Sequence, residues 1–558
     1  MAKTARAGGK PKAATRTKAK AQARPDATAR AKAKGGTTRK TAGDVTPAVR
    51  VRMYRQGLGD CFLLAFPKPE GGEFLVLIDC GVILGTPSAE ALMKDVAADI
   101  ADRAKGKDGA KPRIDVLVGT HEHWDHISGF VQAKDEFEKF EVGEVWLAWT
   151  EDPHDATANR LRKARTDRLA ALWLGVGGLR PKLEAAGDEA AESVVRAAEV
   201  LSFFGIDPDE QPPPGGALEA AEAATRGKTA EAMDWLRTKT ENPKFWKPGD
   251  TDVLPGTGVR FYVLGPPADT RLLFKDLPTR TGKETYEALA HIAAAARALA
   301  VNSPASDDLP GTDTTIPFDP KYQITEDVAR DVEFFRDHYF GPGGGDDDPE
   351  DWRRIDNAWA VGAAEFALKL DSDTNNTSLA LAFELPDGRV LLFPGDAQVG
   401  NWESWHADAD GDKRVWQIGN HAVTAEMLLN RTVLYKVGHH GSHNATLREN
   451  GLEMMTDPAL TAMVPVDVYI AHEKKRWTKM PFRPLMARLD DLARGRVLQA
   501  DQPAEALASK ARGTSPKKDA LTPFLAQVTD ADKQLEVVAE GEKTVKRPLY
   551  VEYSLPLK

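Results

Sequence analysis

Apolar and polar residues alternate with period two from Val49 to Tyr54. The glycine-bearing turn Gln56-Gly57-Leu58-Gly59-Asp60 separates this run from a second at Cys61–Phe66, and a third covers Phe74–Asp79. Helical spacing follows over Ala89–Lys105, and the β-branched run Ile114–Val118 then predicts a buried strand. From about 150 to 250 the pattern turns helical, with runs at Ala156–Leu174, Glu189–Phe204 and Leu218–Thr238 broken by clusters such as Pro212–Gly216. Strand character returns at Val259–Leu264, and Lys283–Ala300 predicts another helix before the polar stretch Gly341–Asp348. A hairpin of Ser378–Leu385 and Val390–Phe393 is expected across Pro386-Asp387-Gly388, with further strands at Leu434–Val437 and Val466–Ala471 and a helix at Leu485–Leu492. Residues 500–545 read as loose surface chain, and Leu549–Leu555 as a closing strand.

Strands, helices and strands again imply an α/β layered fold with large, mainly helical insertions. The expected organisation is a basic tail at 1–47, a first core half at 48–149, a helical insertion at 150–255, a core strand plus insertion at 256–355, a second core half at 356–500, and a polar segment with the closing strand at 501–558.

Residues 1–43 hold 13 Lys and Arg against one acidic residue and no Leu, Ile, Phe or Tyr, a composition that cannot offset its own ordering entropy. The remainder has 61 basic and 83 acidic residues, a net charge of −22. The tail is therefore expected to be disordered and able to touch nucleic acid. The acidic body argues against a processive nuclease. No apolar run approaches a membrane span, and two cysteines, Cys61 and Cys80, cannot build a disulfide framework or a thiolate zinc site. A cytoplasmic protein is expected.

Twelve histidines occur in 558 residues, three of them at 121–126 and three at 439–443. His121, His123, Asp125 and His126 follow the strand 114–118 directly, so four ligand side chains share one tight turn. Imidazole and carboxylate suit zinc, and two metals held close together can share ligands and a bridging hydroxide.

The complete HxHxDH pattern, together with Leu77-Ile78-Asp79-Cys80-Gly81, Asp396 in Phe393-Pro394-Gly395-Asp396-Ala397 and the 439–440 pair, resembles the metallo-β-lactamase fold superfamily. The likeness covers roughly 49–130 and 255–500. Gln56–Asp60, Asn376-Thr377-Ser378-Leu379 and Lys436–Ser442 resemble the hydrolase domain of ComEC-type competence proteins most closely. No membrane channel accompanies them here, so a role in DNA uptake does not carry over. The resemblance implies an αββα sandwich with two zinc ions at one edge, iron or manganese being alternatives. By motif, His121 and His123 would bind the first ion, and Asp125 and His126 the second. Asp396 would bridge them, and His439 or His440 would complete the second position. A lone histidine that relatives often add is best matched by His154, with Glu151 and Asp152 as oxygen alternatives. Asp79 is expected to orient the histidine turn rather than bind metal.

Asp125, Asp396 and His440 are the expected catalytic residues. Asn376, Ser378, Ser442 and the non-ligand histidine of the pair are candidate contacts to substrate oxygens, with capping of a hairpin turn as the alternative for Asn376 and Ser378. Trp402 and Trp405 would wall the pocket or pack in the core. His291, His338, His406 and His443 read as ordinary polar histidines. The expected function is a dinuclear zinc hydrolase using a metal-bridging hydroxide on a phosphoester, either a phosphorylated small molecule or nucleic acid. Alternatives are an acyl or lactone hydrolase with the same metals, a metal-stabilised partner module in a multi-protein bacterial system, and an iron redox centre.

Overall fold

The computed structural model describes residues 47–558 apart from 106–109, 184–188, 213–220, 222–224, 226–227, 276–325, 340–355, 409, 445, 511–516 and 540–542. The expected tail at 1–47 (all but its last residue), the helix at 283–300, the stretch 341–348, His291 and parts of 212–216 and 218–227 lie outside the described residues.

Two sheets dominate. The first comprises β1 (Ala48–Tyr54), β2 (Cys61–Pro67), β3 (Glu73–Cys80), β4 (Arg113–Gly119), β5 (Glu141–Ala148) and β6 (Lys244–Trp246). The second takes β7 (Thr251–Val253), β8 (Arg260–Gly265), β9 (Ala380–Glu384), β10 (Val390–Phe393), β13 (Thr432–Lys436), β14 (Thr461–Val464) and β15 (Val497–Gln499) in the order β15-β14-β13-β10-β9-β8-β7, while β11 (Trp416–Ile418) and β12 (His421–Val423) form a separate hairpin. β16 (Val528–Asp530) and β19 (Tyr550–Pro556) return to the first sheet, giving β16-β19-β1-β2-β3-β4-β5-β6, and β17 (Gln534–Ala539) pairs only with β18 (Lys543–Pro548). Each sheet is antiparallel on one side and parallel on the other, the parallel runs being β3-β4-β5-β6 and β10-β13-β14-β15.

Alternation explains the layering. In β2, Phe62, Leu64 and Phe66 share a buried core with Phe261, Leu381, Phe383 and Phe393 of the second sheet, whereas Leu63 and Ala65 face away from it. Helix α1 (Ala89–Arg103) covers the outer face of the first sheet with Leu92, Met93, Val96 and Ile100. The second sheet is covered by α2 (Ala156–Leu183) and α3 (Glu189–Leu201), while α4 (Thr229–Thr238) joins the layer on the first sheet. Helix α5 (Asp356–Asn375) packs on α3 and α2, and α6 (Arg483–Leu492) joins the same layer through Leu489. The protein is thus mixed α/β, with helices outside two facing sheets. The 150–255 segment supplies part of the helical layer and, through β6 and β7, an edge strand to each sheet. Among the described residues no helix is long and apolar enough to cross a membrane.

Two expectations need correction. The strand expected at Val466–Ala471 lies earlier, at Thr461–Val464. Pro465 lacks the N–H that would extend the ladder, and Asp467 then accepts the Ile470 N–H at 3.0 Å, turning the chain into a helical segment. Residues 500–545 are not loose where described. Leu507, Leu521 and Phe524 are buried in the inter-sheet core, and Leu535 and Val537 pack on the outer face of the first sheet. The two cysteines sit opposite each other in register, buried and unbridged.

Phe66 lies at the end of β2 remote from Cys80, with its ring 5.6 Å from Phe383. Phe66→Ala is expected to lower unfolding stability by about 3–5 kcal/mol in urea titration while leaving metal uptake unchanged. An altered metal content would show that the far end of the sandwich is coupled to the strand ends.

Candidate metal centre

The strands that carry the candidate ligands end at one place. Asp79, the penultimate residue of β3, has a left-handed backbone (φ 55°), a conformation that aspartate adopts more readily than most residues. Its carboxylate accepts the Thr120 N–H at 2.8 Å and the Thr120 hydroxyl at 2.7 Å, and takes His126 Nδ1 at 2.8 Å. These bonds hold the turn after β4. Two glycines let the backbone approach. A Cβ on Gly81 would lie 2.4 Å from the Asp125 carbonyl carbon, and one on Gly59 would lie 2.7 Å from the Asp125 carbonyl oxygen. That oxygen accepts the Asp60 N–H at 2.9 Å, so the Gly57–Asp60 turn cradles the histidine turn. The Thr120 carbonyl accepts the Leu379 N–H at 2.9 Å, linking the turn to the approach to β9 in the opposite sheet.

Side chains from both halves of the chain then meet. Ligand atoms of Asp125, His126, Asp396 and His440 lie within 4.8 Å of one another, all buried, and Asp60, Asp79 and His126 form a second such group. His126 Nε2 is 3.1 Å from Asp396 Oδ2, and His440 Nε2 is 2.7 Å from Asp125 Oδ2. Asp396 follows β10, where Ser378 Oγ accepts its N–H at 3.0 Å. Its Oδ1 takes Lys436 Nζ at 2.9 Å and the His439 N–H at 2.8 Å, leaving Oδ2 for the centre. The two histidines after β13 separate cleanly. His440 donates from Nδ1 to the Pro465 carbonyl at 2.7 Å and turns Nε2 inward, while His439 pairs its Nδ1 with Gln398 at 3.2 Å and stands outside the group. His121 Nε2 and His123 Nδ1 are 3.0 Å apart.

Charge explains what such a centre can hold. Burial, reinforced by neighbouring imidazoles, keeps His121 well below its usual pKa. Burial likewise holds His123 to about 3 and His439 to about 4, so these rings stay neutral. Burial also works against charge on His126, but Asp396, Asp60, Asp125 and Asp79 outweigh it and raise its pKa. His440 is raised in the same way, against burial, by its bond to Asp125. Asp396 is held well below the carboxylate range despite burial, chiefly by Lys436 and His126. Asp371 is pushed well above it by burial and then by Asp125 and Asp396. His126 Nε2, His123 Nε2, Asp125 Oδ1, Asp371 Oδ1 and Asp60 Oδ1 are buried without a hydrogen-bond partner. Converging nitrogen and oxygen donors, an excess of buried negative charge and unpaired inward atoms together fit a metal ion.

Other expected residues fall elsewhere. His154 is exposed in a turn where Asp152 accepts its backbone N–H, and it belongs to neither ligand group. Glu151 is buried but committed to Arg237 and Arg165. Asn376 Oδ1 accepts the N–H groups of Gln398 and Asn401, and its Nδ2 donates to the Lys275 carbonyl. With Ser378 holding the Asp396 N–H, the capping reading replaces substrate contact for both. Ser442 donates to Asn444. Trp402 and Trp405 stack at 3.9 Å in the core and do not wall the centre. That wall is made by Phe203 and Phe204, whose rings lie 5.3 and 4.9 Å from His123, with Trp477 stacked on Phe203 at 4.7 Å. His338 and His443 are exposed, and His406 pairs with the Asn450 carbonyl. Sequence reasoning missed Lys436, Gln398, Asp371 and the aromatic wall. Lys436 stood in a motif already quoted, whereas Asp371 sits in an unremarkable helical run.

Chelation is expected to lower the thermal midpoint, with recovery on adding zinc. Binding at 100-fold above Kd contributes about 2.7 kcal/mol. A midpoint indifferent to both treatments, followed by scanning calorimetry, would remove the metal centre.

Comparisons with protein-family models, with curated proteins and with solved structures give no match to this chain.

Proposed function

We propose that this chain is a metal-dependent hydrolase of the metallo-β-lactamase type that uses two zinc ions to cleave a phosphoester, with a nucleotide or a nucleic-acid end as the substrate class. The supporting observation is the meeting of Asp125 and His126 with Asp396 and His440, 270 residues or more along the chain, in one buried group after β4, β10 and β13. Layered sheets with helices outside, and ligands at the carboxyl ends of parallel strands, agree with the fold the motifs suggest.

Asp125, His126, Asp396 and His440 would hold one ion, and His121 and His123 the other. Imidazole and carboxylate donors favour zinc over harder cations. When bound, such ions lower the pKa of water from 15.7 to ~7 and stabilise developing negative charge. The chain supplies the rest. Asp79 and Thr120 fix the ring of His126, and Lys436 with the His439 N–H fixes Asp396 through Oδ1. Asp125 Oδ1, buried and unpaired, would be the group that accepts a proton from an attacking water. Phe203 and Phe204 shield the His123 side of the centre from solvent.

The test is the full chain, zinc-loaded, on bis(p-nitrophenyl) phosphate, a dinucleotide and single-stranded DNA, run beside p-nitrophenyl acetate and a lactone. Phosphodiester turnover is expected, falling on the order of 10²-fold or more in Asp396→Asn. Turnover confined to the ester or lactone would transfer the assignment to acyl hydrolysis. Metal content with no turnover on any substrate would favour a metal-stabilised partner module.

A further inference from the structure

Helix α5 carries two aspartates two residues apart, and their surroundings differ. Asp373 is paired with Lys369 at 2.5 Å and with Arg168 at 3.1 Å, as a buried acid in a structural role should be. Among the described residues no lysine or arginine pairs with Asp371. One oxygen takes Asn375 Nδ2 at 3.1 Å, one turn along the same helix, and the other, Oδ1, is buried with no partner.

The nearest imidazole stands in the same condition. His123 Nε2 is buried and unpartnered, 3.9 Å from Asp371 Oδ1. That gap is too long for a hydrogen bond. It suits two donors that share one cation, since zinc–nitrogen and zinc–oxygen bonds of about 2.0–2.2 Å place ligand atoms up to ~4 Å apart.

We infer that Asp371 is a metal ligand, sharing with His123 a cation position beside the Asp125–His126–Asp396–His440 group. It fills the place for which the sequence offered His154. The inference rests on the chain holding metal, as proposed above. It adds that one ligand of the first position comes from α5, so that helix becomes part of the centre.

The experiment counts zinc per full-length chain by elemental analysis and isothermal titration, with cobalt substitution to report coordination through its visible absorption. The wild-type chain is expected to take up two equivalents. Asp371→Ala and Asp371→Asn, the latter nearly isosteric and so least disturbing to the fold, are expected to retain one, with a changed cobalt spectrum. Asp373→Asn is expected to keep two. Full wild-type stoichiometry and affinity in Asp371→Asn would overturn the ligand assignment and leave the hydrolase reading intact. A wild-type chain that binds no cation would overturn both.

Discussion

Five buried aspartates, Asp60, Asp79, Asp125, Asp371 and Asp396, surround one small volume, and the structure around them manages that charge. Leaving a carboxylate buried and unpaired costs several kcal/mol, so such an arrangement needs cations in the same space or protonation of some of the acids. Lys436 offsets part of it by bridging Asp60 and Asp396, and His126 is driven towards its charged form by four carboxylates. Neither reaches the free oxygens of Asp125 and Asp371. The unmet charge is what gives the site its chemical character.

The sandwich is suited to hold such charge because it separates scaffolding from ligation. The inter-sheet core is apolar along the strands, and the acids and imidazoles lie just past the strand ends, where turns replace ladder bonds. Those turns are pinned by hydrogen bonds that do not involve the inward atoms. Asp79 takes Thr120, Ser378 takes the Asp396 N–H, and the Pro465 carbonyl takes His440 Nδ1. Each fixes a direction and leaves an inward nitrogen or oxygen available.

The helical segment after residue 150 serves the site as well as the core. Glu122, within the histidine turn, is held by Arg165 of α2 and by Thr229, the first residue of α4. Arg165 and Arg237 also reach the buried Glu151. Phe203 and Phe204 close the approach beside His123. The segment read from the sequence as a helical insertion is fastened to the histidine turn.

Much of this was legible in the chain itself. Alternation located β1, and short apolar runs bounded by turn residues located β2, β3 and the β9–β10 hairpin, because runs of that length fit strands buried between apolar layers. The histidine turn and Asp396 were legible because their residue types and spacing are costly without a ligand. His439 and His440 could not be told apart in the sequence, since adjacent residues share every local signal. Only the left-handed backbone at both, with Gln398 on one side and Pro465 on the other, decided which ring turns inward. His154 lost its expected place because nearness along the chain is not nearness in space. Asp371 reached the centre because α5 happens to end against it, and no local pattern records where a helix docks. What the sequence determined by itself was the set of elements and the chemistry of the turns, both properties of short stretches. Which distant acid faces which imidazole was decided only by packing, because that depends on how whole layers lie against one another.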